Sequence, residues 1–236
     1  MHFSNHIQEI KKRLIPSAIT LICCSIVGYI FRKQIILILV RPLINNGIHQ
    51  IIFTSIPEAF MSSVNVSIAF GIIVSSPVII YNIYQFIAPG LHRRERAVLK
   101  LIFVFSPILC LCGLLFVLYI IMPQAIKFFA SFEQLNDNFS LVLQPKISEY
   151  ISITVQMILA CSLCFQLPIV VIILFLLKLI TIEYLTTKRR WYILLSFIIA
   201  GICTPPDILS QFLLAIPLVL LYETAIIICR ILVKQS

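Results

Sequence analysis

Long apolar runs separated by short clusters of charge organise this chain. A helix needs roughly 20 predominantly apolar residues to cross the hydrocarbon core of a bilayer. Six runs approach or exceed that requirement, at residues 14–31, 61–87, 101–122, 151–177, 191–203 and 209–229. Pro123 is expected to close the third. The fifth is only 13 residues long, but the Thr204-Pro-Pro-Asp207 turn joins it directly to the sixth, so the two read as a short hairpin that a bilayer accommodates by thinning. The pattern predicts an all-α integral membrane protein of six transmembrane helices, forming one polytopic domain over residues 1–236 without an internal repeat.

Composition agrees with the pattern. Of the 236 residues, 61% are hydrophobic and 11% charged, with a mean hydropathy of +1.08, far from the quarter or so of charged residues usual in soluble domains. The net charge of +9 would suggest nucleic acid in a soluble chain. In a polytopic one it sorts the loops instead, and no nucleic-acid partner is expected. Residues 1–13, 88–100, 178–190 and 230–236 hold 13 of the 18 Lys and Arg, whereas 32–60, 123–150 and 204–208 hold five. Positive charge favours the cytoplasmic side, so both termini are expected there. Lys11-Lys12-Arg13 before the first run outlines a signal peptide, yet no small-residue cleavage site follows, and an uncleaved first span is expected. On the opposite side, 32–60 should form short helices on the membrane surface and join 123–150 in a structured cap.

Little here points to catalysis. There is no GxxxxGK, HExxH or GxSxG signature, so the chain is expected to be no enzyme and to draw on an external driving force. Eight cysteines are scattered through the apolar runs, and Cys161-Ser-Leu-Cys164 lacks His or carboxylate neighbours. They read as packing residues, with no metal and no cofactor. Ionisable and polar groups inside the spans are more informative. Glu223 lies in the sixth, facing a partner or polar cavity, or else pairing with Arg230. Gln166 precedes Pro168 in the fourth, as a docking point or bonded to backbone that the proline frees. The second span carries Ser62, Ser63, Asn65, Ser67, Ser75, Ser76, Asn82 and Gln85, a composition that suits close helix packing more than a conduction path.

Two carboxylates, Glu9 and Glu95, share the cationic face. Each either pairs with its own neighbours, Glu9 with Lys12 or Arg13 and Glu95 with Arg93, Arg94 or Arg96, or the two together receive a pair of guanidinium groups through bidentate bonds.

Five ordered blocks then resemble one family: Glu9-Ile-Lys-Lys-Arg-Leu14, Pro57-Glu-Ala-Phe60, Phe86-Ile-Ala-Pro-Gly-Leu-x-x-x-Glu-Arg96, Phe165-Gln-Leu-Pro168 and Thr204-Pro-Pro-Asp-x-x-Ser-Gln-x-x-Leu-Ala-Ile-Pro217. They look like TatC, the multispan core of the twin-arginine (Sec-independent) protein translocase. The resemblance implies a cup-shaped six-helix receptor that binds twin-arginine signal peptides of folded precursors. It further implies single-span TatA-like and TatB-like partners, self-association in a larger complex, and transport driven by the proton-motive force. Carried over position by position, the signal-peptide site comprises Glu9, Lys11, Arg13, Phe86, Pro89, Leu91, Glu95 and Arg96. Structural or partner-contact positions are Pro42, Glu58, Gln166, Pro205, Asp207 and Glu223. Two departures stand out: Gln166 where many members carry Glu, and Lys11 where Arg is frequent. The wording is similar to the alphaproteobacterial branch, which mitochondrial genomes inherited. That implies a bacterial inner membrane, with a mitochondrial inner or plastid thylakoid membrane as the alternative. A small-solute secondary transporter would need midplane charges or broken helices in related halves, neither of which is evident, and an intramembrane enzyme would rest on scattered Ser and Glu alone.

Overall fold

A computed structural model describes the backbone of residues 2–48, 50–52, 54–87, 93–132, 134–136, 139–141, 144–204 and 207–234. Within these it leaves aside the side chains of 2–13, 86–87, 93–99, 101–102, 134–136, 139–141 and 233–234. The helices are α1 (His2–Ile30), α2 (Arg32–Asn45), α3 (Glu58–Ile87), α4 (Arg93–Phe116), α5 (Met122–Ala130), α6 (Ile147–Cys164), α7 (Leu167–Leu176), α8 (Ile182–Thr187), α9 (Arg189–Cys203) and α10 (Ile208–Lys234). Four segments are long and apolar enough to cross a membrane: Glu58–Gln85, Phe103–Ala130, Ile147–Leu176 and Ile208–Leu232. A fifth arises if Leu14–Ile30 is taken with α2, from which it is bent by 76°. At 15 residues, α9 is about 22 Å long.

Helices α1 and α3 form the most extensive pair among the described residues. Small side chains let them approach closely. A Cβ on Gly71 would collide with the Ser25 hydroxyl and stand 3.0 Å from Ser25 Cα, and one on Gly28 would lie 2.9 Å from Phe70 and 3.0 Å from the Ser67 carbonyl. Asn82 Nδ2 donates to Ser17 Oγ at 2.7 Å. Thus much of the polar character of α3 goes into packing. Ser67 and Ser76 bond back to the Ser63 and Ile73 carbonyls at 2.6 and 2.7 Å, and the second of these carbonyls is the one that Pro77 deprives of its amide partner.

Pro123 does not end the third span. A π-helical turn, Val117–Ile121, precedes it, and helix continues to Ala130. The wide turn hands the Val117 carbonyl to the Met122 amide. That shift of register lets the proline enter α5 at its first turn, where no amide donor is required.

Helix α2 turns across the bundle end and packs on α3, α5 and α6, burying Leu39, Val40, Pro42 and Leu43. Gly47, at φ +85°, closes it: Ile48 N–H donates to Leu43 O at 3.1 Å and Gly47 N–H to Ile44 O at 3.0 Å. This is the double bond pattern that a left-handed residue after a helix permits. The two segments expected to form a cap are joined. Ile52 and Lys146 form a parallel bridge, in which Ile147 N–H donates to Ile52 O at 2.9 Å, and buried Tyr150 donates its hydroxyl to Leu39 O at 2.8 Å. One departure from all-α structure is a two-stranded hairpin, β1 (Gln134–Asn136) with β2 (Phe139–Leu141), antiparallel with Leu135 opposite Ser140.

The main core draws Val66 from α3, Val117 and Ile121 from the π turn, Ile151 from α6, and Leu214 and Leu218 from α10, all at most 2% exposed. A second cluster joins α7, α8 and α10 through Ile172, Leu176, Leu185, Tyr222 and Ile226. Exposed Leu, Ile and Phe cover the outside, the inverse of a soluble surface and the expected finish for contact with lipid tails.

Candidate functional site

The antiparallel register of α1 on α3 decides where the first carboxylate lies. Ser17 meets Asn82, Ser25 meets Gly71 and Gly28 meets Phe70, so each step back along α1 is matched by a step forward along α3. Glu9, roughly two turns before Ser17, therefore falls just past the C-terminal end of α3. The second carboxylate follows from the α3–α4 pairing. Tyr84 packs edge-on against Phe103 with ring centroids 5.3 Å apart, and Glu95 lies roughly two turns before Phe103, in the first turn of α4. The backbone positions of Glu9 and Glu95 thus share one end of the bundle, opposite the α2–α5 cap. The side chains of Glu9, Lys11, Arg13, Phe86, Glu95 and Arg96, and all of Pro89 and Leu91, lie outside the described residues.

Positions assigned to structure or partner contact are visible except for Pro205, which also lies outside them. Pro42 is buried in α2. Glu58 folds back over the chain entering α3, accepting from the Thr54 amide and hydroxyl at 2.8 Å each. Asp207, 3% exposed, caps α10 by accepting from Ser210 N–H at 2.7 Å, and its other carboxylate oxygen has no partner among the described residues. A carboxylate at a helix N-terminus complements the helix dipole as well as the first amides.

The Gln166 side chain bonds across to α4 and not to backbone that Pro168 frees. Its amide closes a ring with Ser106 on α4: Nε2 donates to Ser106 O at 2.9 Å, and Ser106 Oγ donates to Oε1. The ring is neutral, and about two turns along α4 Gly113 packs against Ser162.

Glu223 pairs with Arg189, whose Nη2 donates to Oε2 at 2.8 Å, and not with Arg230. Beside the pair, Tyr192 and Tyr222 stack with centroids 3.8 Å apart and planes at 11°, and Tyr222 Oη donates to Leu185 O at 3.0 Å. Arg189, Ser106 and this tyrosine pair are the partners that the sequence reading missed. Arg189 carried a signal: folding α9 back on α10 about the 204–207 turn sets it opposite Tyr222 and Glu223. Among the described residues no group of His, Cys, Asp and Glu is arranged to hold a metal, and the cysteines are free thiols.

The profile of the family described as Sec-independent protein translocase protein (TatC) matches residues 5–217. The chain belongs to the TatC family. A Sec-independent protein translocase protein TatC of Rickettsia prowazekii (strain Madrid E) is 42% identical over 97% of this chain and 92% of its own length. A tatC-like protein of Reclinomonas americana is 35% identical over 98% and 88%. A crystal structure described as the twin arginine translocase receptor TatC in DDM superimposes with a TM-score of 0.81 at 32% identity, covering 94% of this chain and 98% of that one. The TatC fold is thus that of the present bundle, and family membership places the chain among membrane-embedded subunits of a protein translocase, not among enzymes.

Proposed function

We propose that this chain is the signal-recognition core of its translocase. Twin-arginine signal peptides of folded precursors dock at the bundle end where Glu9 and Glu95 lie, and single-span TatA-like and TatB-like subunits join to carry the precursor across under the proton-motive force. The observation that supports this most is the shared register of α1, α3 and α4, which brings the backbone of both carboxylate positions to one end. Two carboxylates within reach of one ligand suit two guanidinium groups, each a planar fork of donors. The surrounding Lys11, Arg13 and Arg96 repel generic cations and so favour a ligand that forms two bidentate pairs. Six crossings with both termini cytoplasmic fit the charge sorting of the loops, with α9 as the short fifth. The membrane is a bacterial inner membrane, and the organelle-encoded relative in Reclinomonas americana keeps an organellar one as the alternative.

Photo-crosslinkers at positions near Glu9 and Glu95, in membranes that also hold the partner subunits, test the reading. A twin-arginine precursor is captured, and capture is lost when its two arginines become lysines or when Glu95 becomes Gln. Capture that ignores the arginine-to-lysine change excludes recognition at this end. Export of a folded, cofactor-loaded reporter in a strain lacking its own TatC completes the test.

A further inference from the structure

On the bundle's outer wall, α3 and α4 enclose a groove of ≈280 Å³. Tyr84 and Phe103 form its floor in their edge-to-face contact, Tyr81 stacks beside Tyr84 at 6.4 Å, and Pro77 and Pro107 line it further along. Tyr81 and Val104, 56% and 60% exposed, show that the groove opens outward, away from the core. Lys100 borders it and makes no ion pair or hydrogen bond among the described residues. Its position just before the apolar run that begins at Leu101 places the ammonium at headgroup depth, roughly 10 Å along the helix from Pro107.

We infer that this groove is a binding site for one anionic phospholipid, its acyl chain lying along Tyr84, Phe103 and Pro107 and its phosphodiester on Lys100. In a bilayer the apolar walls confer no selectivity, because lipid tails are as apolar as the groove; the rim must supply it. Lys100 attracts an anion and repels the ammonium of a zwitterionic headgroup. Tyr81 adds a donor: its oxygen accepts from Gln85 Nε2 at 2.7 Å, so its own O–H is left to donate. Size separates the occupant from an apolar peptide helix, which is about 10 Å across and occupies on the order of 800 Å³ over the same length. The groove holds a single chain, not a helix. This site depends on the membrane fold alone and is independent of the signal-peptide reading.

Native mass spectrometry of the full-length protein, equilibrated with equal amounts of phosphatidylglycerol and phosphatidylcholine, tests it. The wild-type protein retains phosphatidylglycerol about fivefold over phosphatidylcholine, the preference that one cation near a membrane surface confers. Lys100→Gln brings the ratio near one with an unchanged melting profile, and Val104→Trp lowers retention of both lipids by filling the groove. A Lys100→Gln protein that keeps the preference overturns the site, as does a Val104→Trp protein that retains lipid like wild type. A photo-crosslinker at position 104 that captures precursor peptide in place of lipid overturns it as well.

Discussion

The pairs α1–α3 and α9–α10 solve the same problem by different means. In the first, two helices of 29 and 30 residues meet through Ser17, Ser25, Gly28, Ser67 and Gly71, so that the backbones approach closely around Gly28 and Gly71. In the second, a 15-residue helix meets a longer partner, and its open end is tied by a tyrosine stack and an ion pair. The difference follows from length. Dispersion between close-packed backbones is weak per atom and accumulates with overlap, so the long pair fixes its register mainly through shape, with the Asn82–Ser17 bond added. The short pair has less overlap to accumulate and relies on a few directional contacts near its end. Between them, α4 and α6 combine both devices, with Gly113 on Ser162 and the neutral Ser106–Gln166 ring.

The largest expected effect breaks the shape-dependent pair. Gly71→Val forces α1 away from α3 and destabilises the bundle by about 1–3 kcal/mol, read as a lower melting temperature in detergent. Gly71→Ala is milder, and Ser25→Gly restores most of its loss, since the obstructing hydroxyl is gone. That rescue, if absent, refutes the assigned contact.

Next in size is the tie at the short pair. Both side chains of Arg189–Glu223 keep over a third of their surface, at 42% and 35%, so a double-mutant cycle with alanines yields a coupling of about 0.5–1 kcal/mol. The coupling shrinks in high salt, and the exchange Arg189→Glu with Glu223→Arg recovers most of it. A cycle that instead couples Glu223 to Arg230 contradicts the structure.

Of similar size, but smaller per bond, is the neutral ring. Gln166→Leu removes two bonds to Ser106 at about 0.6 kcal/mol each, the average for interhelical bonds in membranes. Gln166→Glu keeps the ring when protonated and weakens it when ionised, so its melting temperature falls as pH rises whereas that of the parent does not. Tyr150→Phe, which frees Leu39 O at the cap, costs about 1 kcal/mol and loosens α2 against α6 in hydrogen exchange, leaving the opposite end unchanged.

The apolar runs located most of the helices because hydropathy is a property of each residue against its solvent. All six expected runs fall within helices, apart from a residue at an edge or the Phe165-Gln166 break. The third was cut short at Pro123 because a π turn is not written in hydropathy. Candidate residues fared unevenly for the same reason. Asp207 as a cap and Glu58 in its turn involve near neighbours in the chain. Arg189 for Glu223 and Ser106 for Gln166 join residues 34 and 60 positions apart, which no local pattern pairs.

By itself, then, the sequence determined the solvent of this protein, the count of its apolar runs, the sorting of its positive charge and, through five ordered blocks, its family. Only the tertiary structure decided which groups meet: Glu9 just past the end of α3, Gln166 on Ser106, Glu223 on Arg189, and a groove with Lys100 at its edge. Partition into lipid is settled residue by residue. Partnership depends on the rotation and register of two helices at once, and a single turn of either reassigns every contact along the interface.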